Sequence, residues 1–289
     1  MPSRRRRVAP LRAAILAAIV ALAALGAREA RAAAKPQWQV YALRYGTLRD
    51  FPVADLVAGA DTTRKLDIAM MFWLLEGPNH RRVLVDAGFY RQRFLDDFHP
   101  ADYVRPSSLI ERAGLTAGQV TDIIISHIHW DHLDGADLFP NARIWIQKDE
   151  YEHHINADGA PINSAIDTVD AAMLSTLKRA GRVVLVDGDD QEIIPGITVY
   201  TGGKHTFASQ YAGVRTAKGT VIVASDNVYL YENLDRHVPI AQTLDARSNL
   251  AAQDRMRRLA SSIRLIVPGH DPAVFKRFRG VAPAVVKIE

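Results

Sequence analysis

The sequence predicts an α/β protein in which two β-sheets pack face to face with helices on their outer sides. Short apolar, β-branched runs come in groups and are interrupted by stretches of helical spacing. No segment repeats at the spacing of a solenoid or propeller. The chain of 289 residues is 48% hydrophobic and 24% charged, enough for one well-buried core.

The first element is a leader. Its start is rich in arginine, residues 13–27 are apolar, and Ala30 and Ala32 stand in an A-x-A arrangement. This is the pattern of a cleaved secretory signal peptide over residues 1–32, with 33–289 expected as one domain. An uncleaved membrane anchor is the competing reading, but the apolar run is shorter than the ~20 residues a span needs. Ser3-Arg4-Arg5 hints at a twin-arginine route, although the rest of that pattern is poor.

Runs at 38–45, 68–75 and 82–86 read as strands, the last two joined as a hairpin by Gly77-Pro78-Asn79. Asp86-Ala87-Gly88 breaks the third strand. Residues 106–113 read as a helix closed by Gly114, and 117–120 as a second short helix. Residues 121–125 form a buried apolar strand. Further strands are expected at 143–147, 183–186, 197–201, 211–216, 220–224 and 264–267, with helices within 166–179 and at 249–259.

Net charge excludes one class of partner. The formal charge is +4, but seven arginines against Glu29 put +6 into residues 1–32, which leaves −2 on the remainder. The basic pI therefore belongs to the leader, and the body carries no electrostatic signature for nucleic acid. There is no cysteine, so disulfides, thiolate ligands and a cysteine nucleophile are all excluded.

Chemistry concentrates where the strand at 121–125 ends. Ser126-His127-Ile128-His129-Trp130-Asp131-His132 packs three imidazoles and a carboxylate into a few residues. In extended backbone, residues two apart project to one side, so His127 and His129 can grip one ion while the turn at Asp131-His132 serves a second. His205, Asp226, Tyr229 and His270 each follow a predicted strand. A sandwich whose strand-end loops converge on one edge would gather them there. The expected grouping is His127, His129 and His205 on one metal, Asp131, His132 and His270 on the other, and Asp226 bridging.

These residues resemble the metallo-β-lactamase superfamily. The resemblance rests on four ordered motifs: HIHWDH from His127, TGGKH ending at His205, SDNVY from Ser225 to Tyr229, and PGHD from Pro268 to Asp271. It covers nearly all of the chain after the leader and is greatest to the N-acyl homoserine lactonases, through SDNVYLYEN, the apolar run at 68–75 and the aromatic Trp130 inside the metal motif. It implies the metallo-β-lactamase fold, an αββα sandwich of two mixed β-sheets flanked by helices. It also implies two Zn2+ per chain, although a nitrogen and oxygen ligand set equally suits cobalt, manganese or iron.

The implied activity is a quorum-quenching hydrolase that opens the lactone ring of N-acyl homoserine lactones by attack of a metal-bridging hydroxide. Asp131 and Tyr229 would be catalytic, with Tyr229 and Trp130 contacting the substrate. A different lactone, a thioester or a phosphoester is the alternative substrate. The expected partner is a small molecule, with no nucleic acid and no stable membrane insertion once the signal is cut. The expected place is periplasmic or secreted, and a homodimer is implied by relatives alone.

The chain departs from the family in one motif. The usual Pro-Gly-His-Thr-Pro-Gly-His run is replaced here by Thr201-Gly202-Gly203-Lys204-His205-Thr206-Phe207-Ala208-Ser209-Gln210, which lacks both prolines and the second histidine.

Competing activities are weighed on residues. Class B β-lactamases lack the bridging aspartate and mostly use a cysteine. Flavodiiron proteins carry Glu where His129 stands. Glyoxalase-type thioesterases append a helical domain, whereas only a short tail follows His270. Export and an acidic body disfavour a transfer-RNA nuclease. A sensor that binds metal without turnover would be expected to have lost ligands.

Blander roles are expected elsewhere. Met70, Met71, Phe72 and Trp73 read as core, and Trp130 as a pocket wall. His153-His154, with Glu150 and Glu152, reads as a solvated helix face. His80, His99 and His237 read as surface or loop, and Asp134 is a candidate partner for a ligand histidine.

Overall fold

Strand β1 (Gln39–Pro52) and strand β2 (Lys65–Glu76) form the longest antiparallel pair of the computed structural model, which describes residues 37–289. The signal peptide expected over 1–32 lies outside the described residues. Both faces of β2 are buried, and for that reason its sequence reads as an unbroken apolar run. Ile68, Met70, Phe72 and Leu74 point into a core beneath the helices, while Ala69, Met71, Trp73 and Leu75 point between the sheets.

β3 (Arg82–Val85), β4 (Asp122–Ile124), β5 (Arg143–Gln147) and β6 (Val183–Val186) continue the sheet, parallel from β3 onward. On its other side it is completed by a C-terminal hairpin, β12 (Arg279–Ala282) and β13 (Val285–Ile288), which gives the order β12-β13-β1-β2-β3-β4-β5-β6. The second sheet has the order β11-β10-β9-β8-β7, with β7 at Gln191–Ile194, β8 at Ile197–Thr201, β9 at Gln210–Thr216, β10 at Gly219–Ser225 and β11 at Ile266–Pro268. Both sheets mix parallel and antiparallel pairs, so the fold is the αββα sandwich the sequence predicts.

The turn between β2 and β3 shows why its residue types are needed. A Cβ on Gly77 would lie 2.4 Å from the Trp38 ring, so only glycine lets the chain pass. Trp38 itself is tied down by Nε1 donating to Pro195 O at 3.1 Å.

Several expectations are corrected in detail. Residues 117–120 make only a short 3-10 turn (Ala117–Gln119), and the strand expected at 264–267 begins at Ile266 because Ile263–Leu265 is also 3-10. Helices α1 (Gln92–Phe98), α6 (Tyr231–Arg236) and α8 (Val274–Arg277) were not foreseen, nor were β7 and the C-terminal hairpin. The others are α2 (Pro106–Arg112), α3 (Trp130–Leu133), α4 (Lys148–His154), α5 (Thr168–Arg179) and α7 (Ala246–Leu259). α5 and α7 start where Asp167 and Asp245 accept the amides of Val169 and Ser248. Among the described residues, no helix is long and apolar enough to cross a membrane.

Candidate metal centre

β3 and β4 are parallel neighbours, so their C-terminal ends deliver Asp86 and Ser126 side by side. Asp86 Oδ1 accepts the Ser126 amide at 2.8 Å, and Oδ2 accepts Ser225 Oγ at 2.8 Å. The chain then turns into α3, for which His129 is the N-cap residue. Tyr45 fixes that turn from β1, donating its hydroxyl to Asp131 O at 3.0 Å. Asp226 follows β10 and His270 follows β11, the parallel pair of the second sheet. His205 lies on the loop between β8 and β9.

All seven side chains expected as ligands meet. His127, His129 and His205 form one group and Asp131, His132, Asp226 and His270 another, with the candidate atoms of each within 4.8 Å of one another. In the first group His129 Nδ1 lies 3.1 Å from His127 Nε2 and 2.9 Å from His205 Nε2. In the second, His132 Nε2 lies 3.2 Å from Asp131 Oδ2, and His270 Nε2 lies 3.1 Å from Asp226 Oδ1. Asp226 spans both, since its Oδ2 stands 3.4 Å from His205 Nε2 and 3.8 Å from His127 Nε2.

The spacing fits divalent cations. Ligands ~2.0–2.2 Å from a tetrahedral metal are about 3.4 Å from each other, the scale of these separations. His132 Nε2 and Asp226 Oδ1 are buried without a hydrogen-bond partner, although only 3.3 Å apart. Two buried polar atoms left unpaired so close together fit a shared cation. The second nitrogen of four ligand rings is already engaged. His127 Nδ1 meets Ser126 Oγ at 2.9 Å and His132 Nδ1 meets Asp86 Oδ2 at 2.8 Å. His205 Nδ1 and His270 Nδ1 donate to Gln242 O and Ala69 O. Such contacts fix which nitrogen is free for a cation.

Electrostatics divide the two groups. Burial holds His127 well below the ordinary imidazole range, and neighbouring histidines push the same way. Burial and then His205 take His129 to about 3. Burial also acts to lower His132, but the carboxylates of Asp131, Asp226 and Asp86 overturn it and hold the ring well above its usual value. His127 and His129 are thus neutral and ready to ligate, whereas His132 would give up a proton to a cation. Tyr229 is raised well above its usual value by burial and by the charges of Asp226 and Asp131, so it stays a donor. Its hydroxyl is 3.3 Å from His205 Nδ1, a nitrogen whose proton already goes to Gln242 O.

A cleft of about 310 Å³ opens on this centre. It is lined by polar groups, His129, Asp131, Asp226, Tyr229, Gln242 and His270, and by apolar ones that include Phe51, Ile68, Met70, Phe98 and Trp130. Trp130 is a wall residue, stacked on Phe98 at 4.0 Å between ring centres. Ile68 and Met70 serve as both core and wall, while Met71 and Trp73 turn away into the core between the sheets. A larger cleft of about 400 Å³, between Arg112 and Arg279, contains none of the metal-site residues.

Two sequence expectations are displaced. Asp134 partners no histidine; it binds the amides of Tyr90 and Arg91 and the Arg91 side chain. The carboxylate that serves His132 is Asp86, whose only sequence signal is its place at a strand end. The helix expected around His153-His154 is present with Glu152 and His153 exposed, but Glu150 and His154 are buried. His153 is exposed and stacks on Phe207 at 3.9 Å.

Comparison with known proteins agrees with this geometry. The profile of the metallo-beta-lactamase superfamily matches residues 71–270. An N-acyl homoserine lactonase of Bacillus sp. is 28% identical over 166 residues, which is 57% of this chain and 61% of that relative. The match therefore spans less than two thirds of the curated relative. A solved N-acyl homoserine lactone hydrolase, with its product N-hexanoyl-L-homoserine at the catalytic metal centre, superposes with a TM-score of 0.68. It is 22% identical, over 83% of this chain and 96% of that one. AidC, a dizinc quorum-quenching lactonase, superposes with a TM-score of 0.62 at 16% identity, over 88% of this chain and 95% of that one. At such identities the superpositions show the shared fold.

Proposed function

Because the chain belongs to the metallo-beta-lactamase superfamily, we propose that it is a dinuclear metal-dependent hydrolase that opens the lactone ring of N-acyl homoserine lactones. The observation that carries this reading is the cleft, whose lining combines apolar side chains with the candidate metal ligands and one protonated tyrosine. An acyl homoserine lactone has matching parts, an apolar tail and a carbonyl to be hydrolysed. The relatives and superposed structures named for that activity support the assignment.

His127 Nε2, His129 Nδ1 and His205 Nε2 would hold one cation, and Asp131, His132 and His270 the other, with Asp226 shared through its two oxygens. Bound there, zinc or a similar divalent ion supplies a nucleophile at neutral pH and a Lewis acid for the carbonyl. The chain's own groups do the rest. The apolar wall seats the acyl tail and excludes water from it. Tyr229, kept protonated, donates to the carbonyl oxygen as negative charge develops on it. Asp131, at the cleft edge, relays a proton to the ring oxygen as the C–O bond breaks. Water is consumed and an open-chain N-acyl homoserine leaves.

The same reading sends the protein out of the cytoplasm, to the periplasm or medium, on the strength of the arginine-rich, apolar leader with its A-x-A site. The activity is tested with the purified, zinc-loaded chain and a panel of homoserine lactones, thioesters, β-lactams and phosphoesters. Acid release from the homoserine lactones is expected at the highest kcat/KM. Cleavage of a thioester or phosphoester with the lactones untouched would sink the proposal.

A further inference from the structure

The loop that carries His205 has irregular backbone. Gly202, Gly203 and Lys204 take φ values of 127°, 86° and 50° in succession, and the prolines that stiffen this loop in the resembling family are missing. Yet His205 Nε2 is held 2.9 Å from His129 Nδ1. One flank of the loop is bound by residues after α6, where Leu244 N donates to Lys204 O at 2.7 Å and Gln242 O receives His205 Nδ1.

The other flank is bound farther along by Gln210, whose amide donates to Ser126 O at 2.8 Å, and by Ser209, which donates to Asn227 Oδ1 at 2.9 Å; nearest His205 it is bound by Glu150. Glu150, on α4, is fully buried. Its Oε1 accepts Thr206 Oγ1 at 2.5 Å, directly after His205, and its Oε2 accepts Ala208 N at 2.6 Å. The same Oε1 accepts Ile128 N at 3.3 Å, the amide between His127 and His129. Gln210 also ties the two segments together at Ser126 and Ile125, but Glu150 is the side chain that joins them at the residues next to His205 and between His127 and His129. It touches none of the second group, whose rings and turn are held by Asp86, Ala69 and Tyr45.

We infer that Glu150 is the positioning residue of the three-histidine metal pocket, setting the distance between His205 and the His127–His129 pair through the backbone. This rests on reading that pocket as a metal site. Charge-assisted hydrogen bonds to buried donors suit the task, because each is short and costly to leave unmade. A shift of a few tenths of an ångström in His205 would spoil tetrahedral geometry on that side alone.

Cobalt titration of the metal-free protein provides the test, read as the visible absorption of each bound equivalent and as metal content, without substrate. Glu150→Gln keeps the shape but turns an amide donor toward one of the three donors, and Thr206→Val removes one hydroxyl. His205→Ala marks which absorption belongs to the three-histidine side. Affinity for that equivalent is expected to fall about 10- to 100-fold in Glu150→Gln and less in Thr206→Val, with the other equivalent unchanged. Two equivalents bound with native affinity in folded variants would overturn the inference, and so would equal weakening of both sites, the signature of general loosening. If melting shows that Glu150→Gln does not fold, Thr206→Val decides alone by the same criteria. A native chain that binds two equivalents but opens no lactone defeats only the proposed activity; one that binds fewer than two defeats the inference as well.

Discussion

Asp226 and Tyr229 stand three positions apart in one short loop, and their environments give them opposite tasks. Burial works against ionising Asp226, but His132 and His270 overcome it and hold the carboxyl well below its usual range, so it is an anion shared between the two groups. Tyr229 is held the other way and keeps its proton. Asp226→Ala is therefore expected to lose most bound metal and nearly all turnover. Tyr229→Phe is expected to retain two equivalents of metal while kcat falls about 10²- to 10³-fold, the usual cost of one oxyanion donor. Metal analysis beside rates on the same preparations separates the two. A metal-free Asp226→Ala protein that still turned over would refute the ligand assignment. Legibility at this scale follows residue type: histidines and aspartates at tight spacing announce themselves, whereas Asp86 and Glu150 look like ordinary acids until their partners are known.

Elements meet through charged clamps as well as through apolar faces. Arg91, at the start of α1, pairs with Asp134 and with Asp137 at 3.1 Å, and its Nη1 donates to Asp170 Oδ1 of α5 at 3.2 Å. α1 in turn carries Phe94 and Phe98, both stacked on Trp130. Burial and the neighbouring Asp134 charge raise Asp170 to about 8, against an ordinary value near 3.8. The folded state thus keeps a proton that the unfolded chain releases near pH 4. Stability from this group is fully present below about pH 4 and is lost as pH rises through 8. Asp170→Asn is expected to melt close to the native protein at pH 5 and above it at pH 9, by calorimetry. An identical difference at both pH values would contradict this account. α1 escaped notice in the sequence because it is short and has only one fully buried residue, Phe94, so no periodic stripe marks it.

For the whole molecule, the C-terminal hairpin closes the first sheet. β13 pairs with β1 from Val40–Ile288 to Leu43–Val285, and Val285, Val286 and Ile288 are buried. Deleting residues 279–289 uncovers those apolar contacts and turns β1 into an open edge. The truncated chain is expected to lose solubility and cooperative unfolding, read by calorimetry and light scattering. Native-like melting of the truncated chain would show that the sandwich does not need the hairpin.

Alone, the amino-acid sequence determined the sandwich class, most strands and the seven candidate ligands. Each of these is a local signal: an apolar run, a turn, or imidazoles too close together to avoid one another. Tertiary structure alone decided which acids serve those imidazoles, how Asp226 divides its oxygens, and where the tail inserts. Asp86 and His132 are 46 residues apart, and Glu150 and Thr206 are 56 apart. A hydrogen bond across such a gap depends on how sheets and loops pack, and local residue pattern carries no record of that.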